Sequence, residues 1–228
     1  MGIHRLHLLL TVVFCLCAVG ACGEPAKDQI PQARYIALRD QDTVRLDEKL
    51  EREVRAVLGR VFEFDPTLSC GAVKLPFVLG TIDIYEAPLV AATAWRNGEI
   101  FTGIEEIDNV IEEFSIASVS SVRYGFVWEF DNELNPVNLA ALLSALLPDL
   151  HAEALPPGGD GDDITIERTS DGHQVRVEHG TGDCLAGCIN EHYWLVFVPG
   201  SETAPVTLIE EGGYEFSTED LELWCNRQ

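Results

Sequence analysis

Apolar residues recur at helical spacing in three stretches of the chain. Leu46, Leu50, Val54, Val57, Leu58 and Val61 share one helix face, with Glu48, Glu51, Arg52 and Arg55 mostly on the other. Asp42 or Thr43 stands where a cap is needed. Asp65-Pro66 ends the run, because a residue before proline is pushed out of the helical region. Ile104, Ile107, Val110, Ile111 and Phe114 mark a second amphipathic helix with an acidic outer side, Glu105, Glu106, Asp108, Glu112 and Glu113. Asn135 and Pro136 open a third. The asparagine oxygen can cap free N–H groups, and proline at the first position gives up no hydrogen bond. Leu139, Leu142, Leu143, Leu146 and Leu147 make this helix the most apolar, so burial against a sheet is expected. It is too short to span a bilayer and ends at Pro148.

Between the helices the period changes to two. Residues 73–79 and 81–85 read as strands separated by Gly80. Residues 91–95 and 99–102 flank Arg96-Asn97-Gly98 and read as a hairpin. Residues 122–130 form a strand pattern, with Val122, Tyr124, Phe126, Trp128 and Phe130 on one face. Such a ladder can serve as a ligand platform, but core packing accounts for it without a ligand. Residues 164–168 and 174–178 form a hairpin closed by Asp171-Gly172, with Ile164, Ile166, Val175 and Val177 facing inward. Strands follow at 191–198, stopped by Pro199-Gly200, and at 206–210. The tail carries Leu221, Leu223, Trp224 and Cys225, which predicts that it packs back. The order implies an α+β fold, a mainly antiparallel sheet packed by about three amphipathic helices. Residues 23–41 are polar, contain Pro25 and Pro31, and read as a flexible tether. That leaves 42–228 as a single domain, with a possible subdomain boundary at 156–163 in the loop LPPGGDGDD.

Charge narrows the partners. The formal net charge is -23, from 15 basic and 38 acidic residues, and only Lys27, Lys49 and Lys74 are lysines. A chain this acidic repels nucleic acid and anionic headgroups, and no basic stripe offsets that. A solvated surface explains the charge, while cationic partners or divalent metals would also suit it.

The N-terminus carries the most specific motif. Arg5, with His4 and His7, precedes an apolar run at 8–18, LLLTVVFCLCA, of signal-peptide length. Val19-Gly20-Ala21-Cys22 follows and resembles the lipobox of bacterial lipoproteins, which usually has leucine where this chain has Val19. The resemblance covers the first 22 residues. It implies a signal segment at 1–22, lipidation of Cys22 with palmitate-type acyl chains, and anchoring to the membrane of a cell envelope. Gly23 in place of an aspartate implies the outer membrane, or the cell surface where there is only one membrane. An ordinary secretory signal, cleaved after Ala18, Gly20 or Ala21, is the alternative.

Four cysteines remain, Cys70, Cys184, Cys188 and Cys225. Outside the cytoplasm an even number reads as disulfides, here with three possible pairings. The preferred one closes a small loop with Cys184–Cys188 and pins the tail with Cys70–Cys225. The alternative is a metal or redox site. Cys184, Cys188 and His192 are spaced four apart, with His179 upstream, and two thiolates with an imidazole suit zinc or copper. Asp160, Asp162 and Asp163 could hold calcium but lack the later glutamate of an EF-hand. His151-Ala152-Glu153 with Cys184 and Cys188 is similar to a zinc deaminase signature, yet lacks its proline and has one residue too many between the cysteines. The stretch 181–198 resembles segments of uncharacterised exported bacterial proteins, which implies no activity. No G-x-S-x-G, H-E-x-x-H or P-loop occurs, and no cofactor motif. The reading is therefore a lipid-anchored envelope protein, a non-catalytic binding or structural module with a protein or small-molecule partner. Its alternative is a metal-binding or thiol-redox protein using the Cys184/Cys188 loop.

Overall fold

The computed structural model describes residues 30–156, 161–182 and 188–226. Among them are six α-helices and two four-stranded antiparallel sheets, an α+β fold. The chain begins with helices α1 (Pro31–Asp40) and α2 (Glu48–Phe64). The tether expected up to residue 41 is thus partly wrong. Pro31 sits in the first turn of α1, where its fixed φ suits a helix. Ala33, Ile36, Ala37 and Leu38 are fully buried. Gln32, Arg34 and Arg39 interrupt the apolar positions, so no clean stripe shows in the sequence. The cap of α2 also differs from expectation. Asp47 Oδ1 accepts from the backbone N–H of Lys49 (2.9 Å) and Leu50 (3.1 Å), whereas the Thr43 hydroxyl donates to the Arg45 carbonyl.

The first sheet contains β1 (Thr81–Glu86), β2 (Ser118–Val122), β3 (Gly125–Glu129) and β4 (His151–Ala154), in the order β2-β3-β1-β4. Helices α3 (Leu89–Arg96), α4 (Glu105–Phe114) and α5 (Pro136–Leu146) supply its core partners. Trp95 of α3 meets Phe126 and Trp128 edge-on, at centroid distances of 5.0 and 5.6 Å.

Three strand expectations fail in this half. Residues 73–79 form no strand. The hairpin at 91–102 is instead α3, which buries Ala91, Ala92, Ala94 and Trp95 at helical spacing. Asn97-Gly98 ends this helix: Gly98 N–H donates to the Trp95 carbonyl and Glu99 N–H to the Ala94 carbonyl, with Gly98 at φ 80°. The strand at 122–130 is the hairpin β2–β3. Its chain turns at Arg123-Tyr124, and the position after the turn must be glycine, because a Cβ on Gly125 would strike the Ile84 carbonyl of β1. Phe126, Trp128 and Phe130 are buried, and Tyr124 is exposed on the turn.

The second sheet is a meander of β5 (Asp163–Arg168), β6 (Gly172–Thr181), β7 (Asn190–Pro199) and β8 (Thr207–Gly213). Ile164 pairs with Val177 and Ile166 with Val175, the inner face that alternation predicts. That face packs on α2 and on helix α6 (Thr218–Cys225), which returns Trp224 to the core. Among the described residues no helix is long and apolar enough to cross a membrane.

The two sheets have separate apolar cores. One draws its buried residues from 82–152, the other from 30–68 and 164–224. The boundary expected at 156–163 is therefore only one of two crossings, since α1 and α2 belong with the C-terminal sheet. The connector between α1 and α2 joins the halves. Asn135, buried at the cap of α5, donates its side-chain amide to the Leu38 carbonyl (2.6 Å), and its backbone N–H donates to Val44 (2.7 Å). The Asn138 amide donates to the carbonyls of Gln41 (3.1 Å) and Thr43 (3.0 Å). We expect Asn135→Ala to cost about 2–4 kcal/mol in urea denaturation, from a lost cap and a stranded buried carbonyl. Asn138→Ala should cost less, because its bonds are more exposed. Equal losses would contradict this account of the connector.

Candidate functional site

Strands β6 and β7 place His179 directly opposite His192. Both continue the inner face of the sheet, in phase with Val175 and Val177 on one strand and Trp194 and Val196 on the other. The apolar face thus ends in two imidazoles, each less than a tenth exposed. Phe216 stacks on His192, with centroids 5.1 Å apart and planes at 22°. Trp194 and Trp224 lie nearly parallel, 5.6 Å apart.

Helix α6 brings Trp224 to this point and is fixed at both ends. Ser217 and Asp220 form a capping box at its start. A disulfide joins Cys225 to Cys70, in the 3₁₀ turn Pro66–Cys70, with the Cα atoms 4.9 Å apart. This is the pairing preferred for the tail.

Asp162 orients the first imidazole. Its Oδ1 accepts from His179 Nδ1 (2.6 Å) and from Gly180 N–H (3.2 Å), and its Oδ2 accepts from Trp224 Nε1 (2.6 Å). A carboxylate serving an indole and a backbone N–H acts as acceptor, so the His179 proton belongs on Nδ1. Among the described residues His179 Nε2 has no hydrogen-bond partner, and the ring lines a cavity of about 60 Å³. Tyr214, Phe216, Leu223 and Trp224 supply the apolar wall of the cavity, and Thr181, Asn190 and Asp220 its polar edge. His192 faces acceptors on both sides, the Tyr214 carbonyl at Nδ1 (2.6 Å) and Glu211 at Nε2 (3.2 Å).

The structure corrects the metal reading. Gly180 separates the two faces, because its side-chain direction is opposite to that of His179. Cys188 Sγ lies where a Cβ on Gly180 would point, so Cys188 and the histidines sit on opposite faces of the sheet. Cys188 is also disulfide-bonded and offers no thiolate. Its expected partner, Cys184, lies outside the described residues. Among the described residues no group of three or more His, Cys, Asp or Glu side chains could hold a metal ion. Two of the three carboxylates considered for calcium are already engaged by the protein. Asp162 serves His179 and Trp224, while Asp163 Oδ1 accepts from Arg39 (2.9 Å) and from the N–H groups of Lys74 and Ile164. Asp160 lies outside the described residues. His151 and Glu153 pair with each other on β4, in the other sheet from the cysteine loop.

Spacing along the chain grouped His179 and His192 with the cysteines. Strand alternation would have grouped them with Trp194. Phe216 and Trp224 gave no local signal as site residues, and Asp162 stood out only as a candidate calcium ligand. No known protein family, curated protein or solved structure matches the chain.

The Asp220 carboxyl is held below its ordinary range by hydrogen bonds from the Ser217 hydroxyl and backbone N–H, with a smaller contribution from nearby His179. The unfolded state therefore takes up a proton first. The stabilisation is complete above the ordinary carboxyl value of about 4 and is lost as pH falls through the lower folded value. We expect the stability difference between wild type and Asp220→Asn, read by tryptophan fluorescence in urea, to be largest near pH 6 and to shrink below about pH 4. A difference that stays constant with pH would contradict this assignment.

Proposed function

We propose that the protein is a lipid-anchored envelope protein whose folded part binds a partner and catalyses no reaction. The anchor reading rests on the lipobox-like Val19-Gly20-Ala21-Cys22, and Gly23 after the cysteine supports the outer membrane. The Cys70–Cys225 disulfide suits an oxidising compartment.

The binding reading rests on the histidine pocket. A polar floor, His179, sits within aromatic walls, and Tyr214 and Leu223 at the edge are more than half exposed. Ile189, beside the lining residue Asn190, is 73% exposed. Large apolar side chains left exposed together beside a pocket mark a surface of protein recognition. The cavity of about 60 Å³ is far smaller than the roughly 300–1,000 Å³ of metabolite sites and suits one side-chain-sized group of a partner. Asp162 divides its hydrogen bonds between His179 and the packing of the tail, which favours a fixed binding group over a proton relay.

Two measurements test this. In cells, the wild-type chain should stay with membranes through a carbonate wash, and Cys22→Ala should be released. Retention of Cys22→Ala would refute the anchor. A photo-cross-linking residue at position 223 should give a discrete adduct that the same residue at position 168 does not. No adduct, or the same adduct at both positions, would refute the pocket as the contact surface.

A further inference from the structure

A second concavity, of about 460 Å³, opens where the connector between α1 and α2 meets the start of α5. Four arginines line it: Arg34 of α1, Arg45 of the connector, and Arg52 and Arg55 of α2. The whole chain has 15 Lys and Arg against 38 Asp and Glu. Four guanidiniums against the three carboxylates of Glu48, Glu51 and Glu133 therefore reverse the sign of the charge within this concavity.

The guanidiniums of Arg34 and Arg52 are held but far from saturated. Arg34 meets Glu133 at 2.8 Å, and that glutamate is 59% exposed. Arg52 meets Glu48 only at 3.4 Å, with both side chains more than two-thirds exposed. Arg55 pairs with Glu51 one helical turn away. Arg45 donates to the Glu113 carbonyl and lies over the Phe114 ring, 5.3 Å from its centroid. Each guanidinium has five N–H donors, and ion pairs as open to solvent as Arg52–Glu48 and Arg34–Glu133 hold weakly. An incoming oxyanion can take those donors in bidentate pairs, which a planar guanidinium favours.

We propose that this concavity binds a small polyanion through its carboxylate or phosphate groups. The volume is that of a metabolite site, not of a single ion. The strongly negative chain disfavours long polyanions such as nucleic acid, whose remaining charge would be repelled. Binding here would draw α1, α2 and the start of α5 together, stiffening the seam between the two cores.

The test is isothermal titration calorimetry of the full chain at low salt, with citrate and, separately, pyrophosphate. Saturable binding of either probe supports the site, and the preferred probe distinguishes a carboxylate from a phosphate ligand. Arg34→Gln with Arg52→Gln should weaken binding by about tenfold or more, while Arg168→Gln on the second sheet should leave it unchanged. Glu133→Gln removes a competing carboxylate and should tighten binding, an outcome independent of whether the double variant folds. Failure of both probes to bind at about 10 mM, or an unchanged affinity in a folded double variant, would overturn the proposal.

Discussion

The carboxylate of Asp162 joins three parts of the molecule. It fixes the His179 ring, ties β6 at Gly180, and holds the indole of Trp224, 62 residues further along. A poorly exposed carboxylate is tolerated only while donors surround it. Undocking the tail would take the indole donor away from Oδ2, and the Cys70–Cys225 disulfide restrains the tail from the other side. Phe216, Trp194 and Trp224 pack around the two histidines as a consequence. The pocket is therefore built by the docking of the tail and not by the sheet alone.

Helix α2 serves both sites from its two faces. Its inner residues Val54, Val57, Leu58 and Val61 bury against the second sheet, and its outer Arg52 and Arg55 border the seam with the first core. The buried amide of Asn135 holds the connector at that seam. The segment 82–152 thus behaves as an insertion stitched, through the start of α5, to α1 and the connector after it, so a perturbation at the seam is felt by both cores.

Much of this architecture was legible where one period ran uninterrupted. Helices α4 and α5, the β5–β6 hairpin and β7 all follow from the spacing of their apolar residues. Helices α1 and α3 were not legible. The first mixes its few apolar residues with Gln32, Arg34 and Arg39. The second ends in Asn97-Gly98, which serves a helix terminus as well as a hairpin. The candidate site was half legible. His179 and His192 lay in phase with the core alternation, but counting residues to Cys188 placed them on the wrong face. Asp162 was visible only as one of several acids in a glycine-rich loop, because its partners are fixed by tertiary packing.

The central claim is that Asp162 locks His179 with its proton on Nδ1 and Nε2 open to the pocket. Nitrogen-15 NMR of the imidazoles, recorded in wild type and Asp162→Asn under conditions where the ring is neutral, tests this directly. The account predicts a single Nδ1–H tautomer in the wild type, and in the variant a loss of that preference with a shift of the Trp224 indole N–H. An Nε2–H tautomer in the wild type, or spectra unchanged by the substitution, would contradict it.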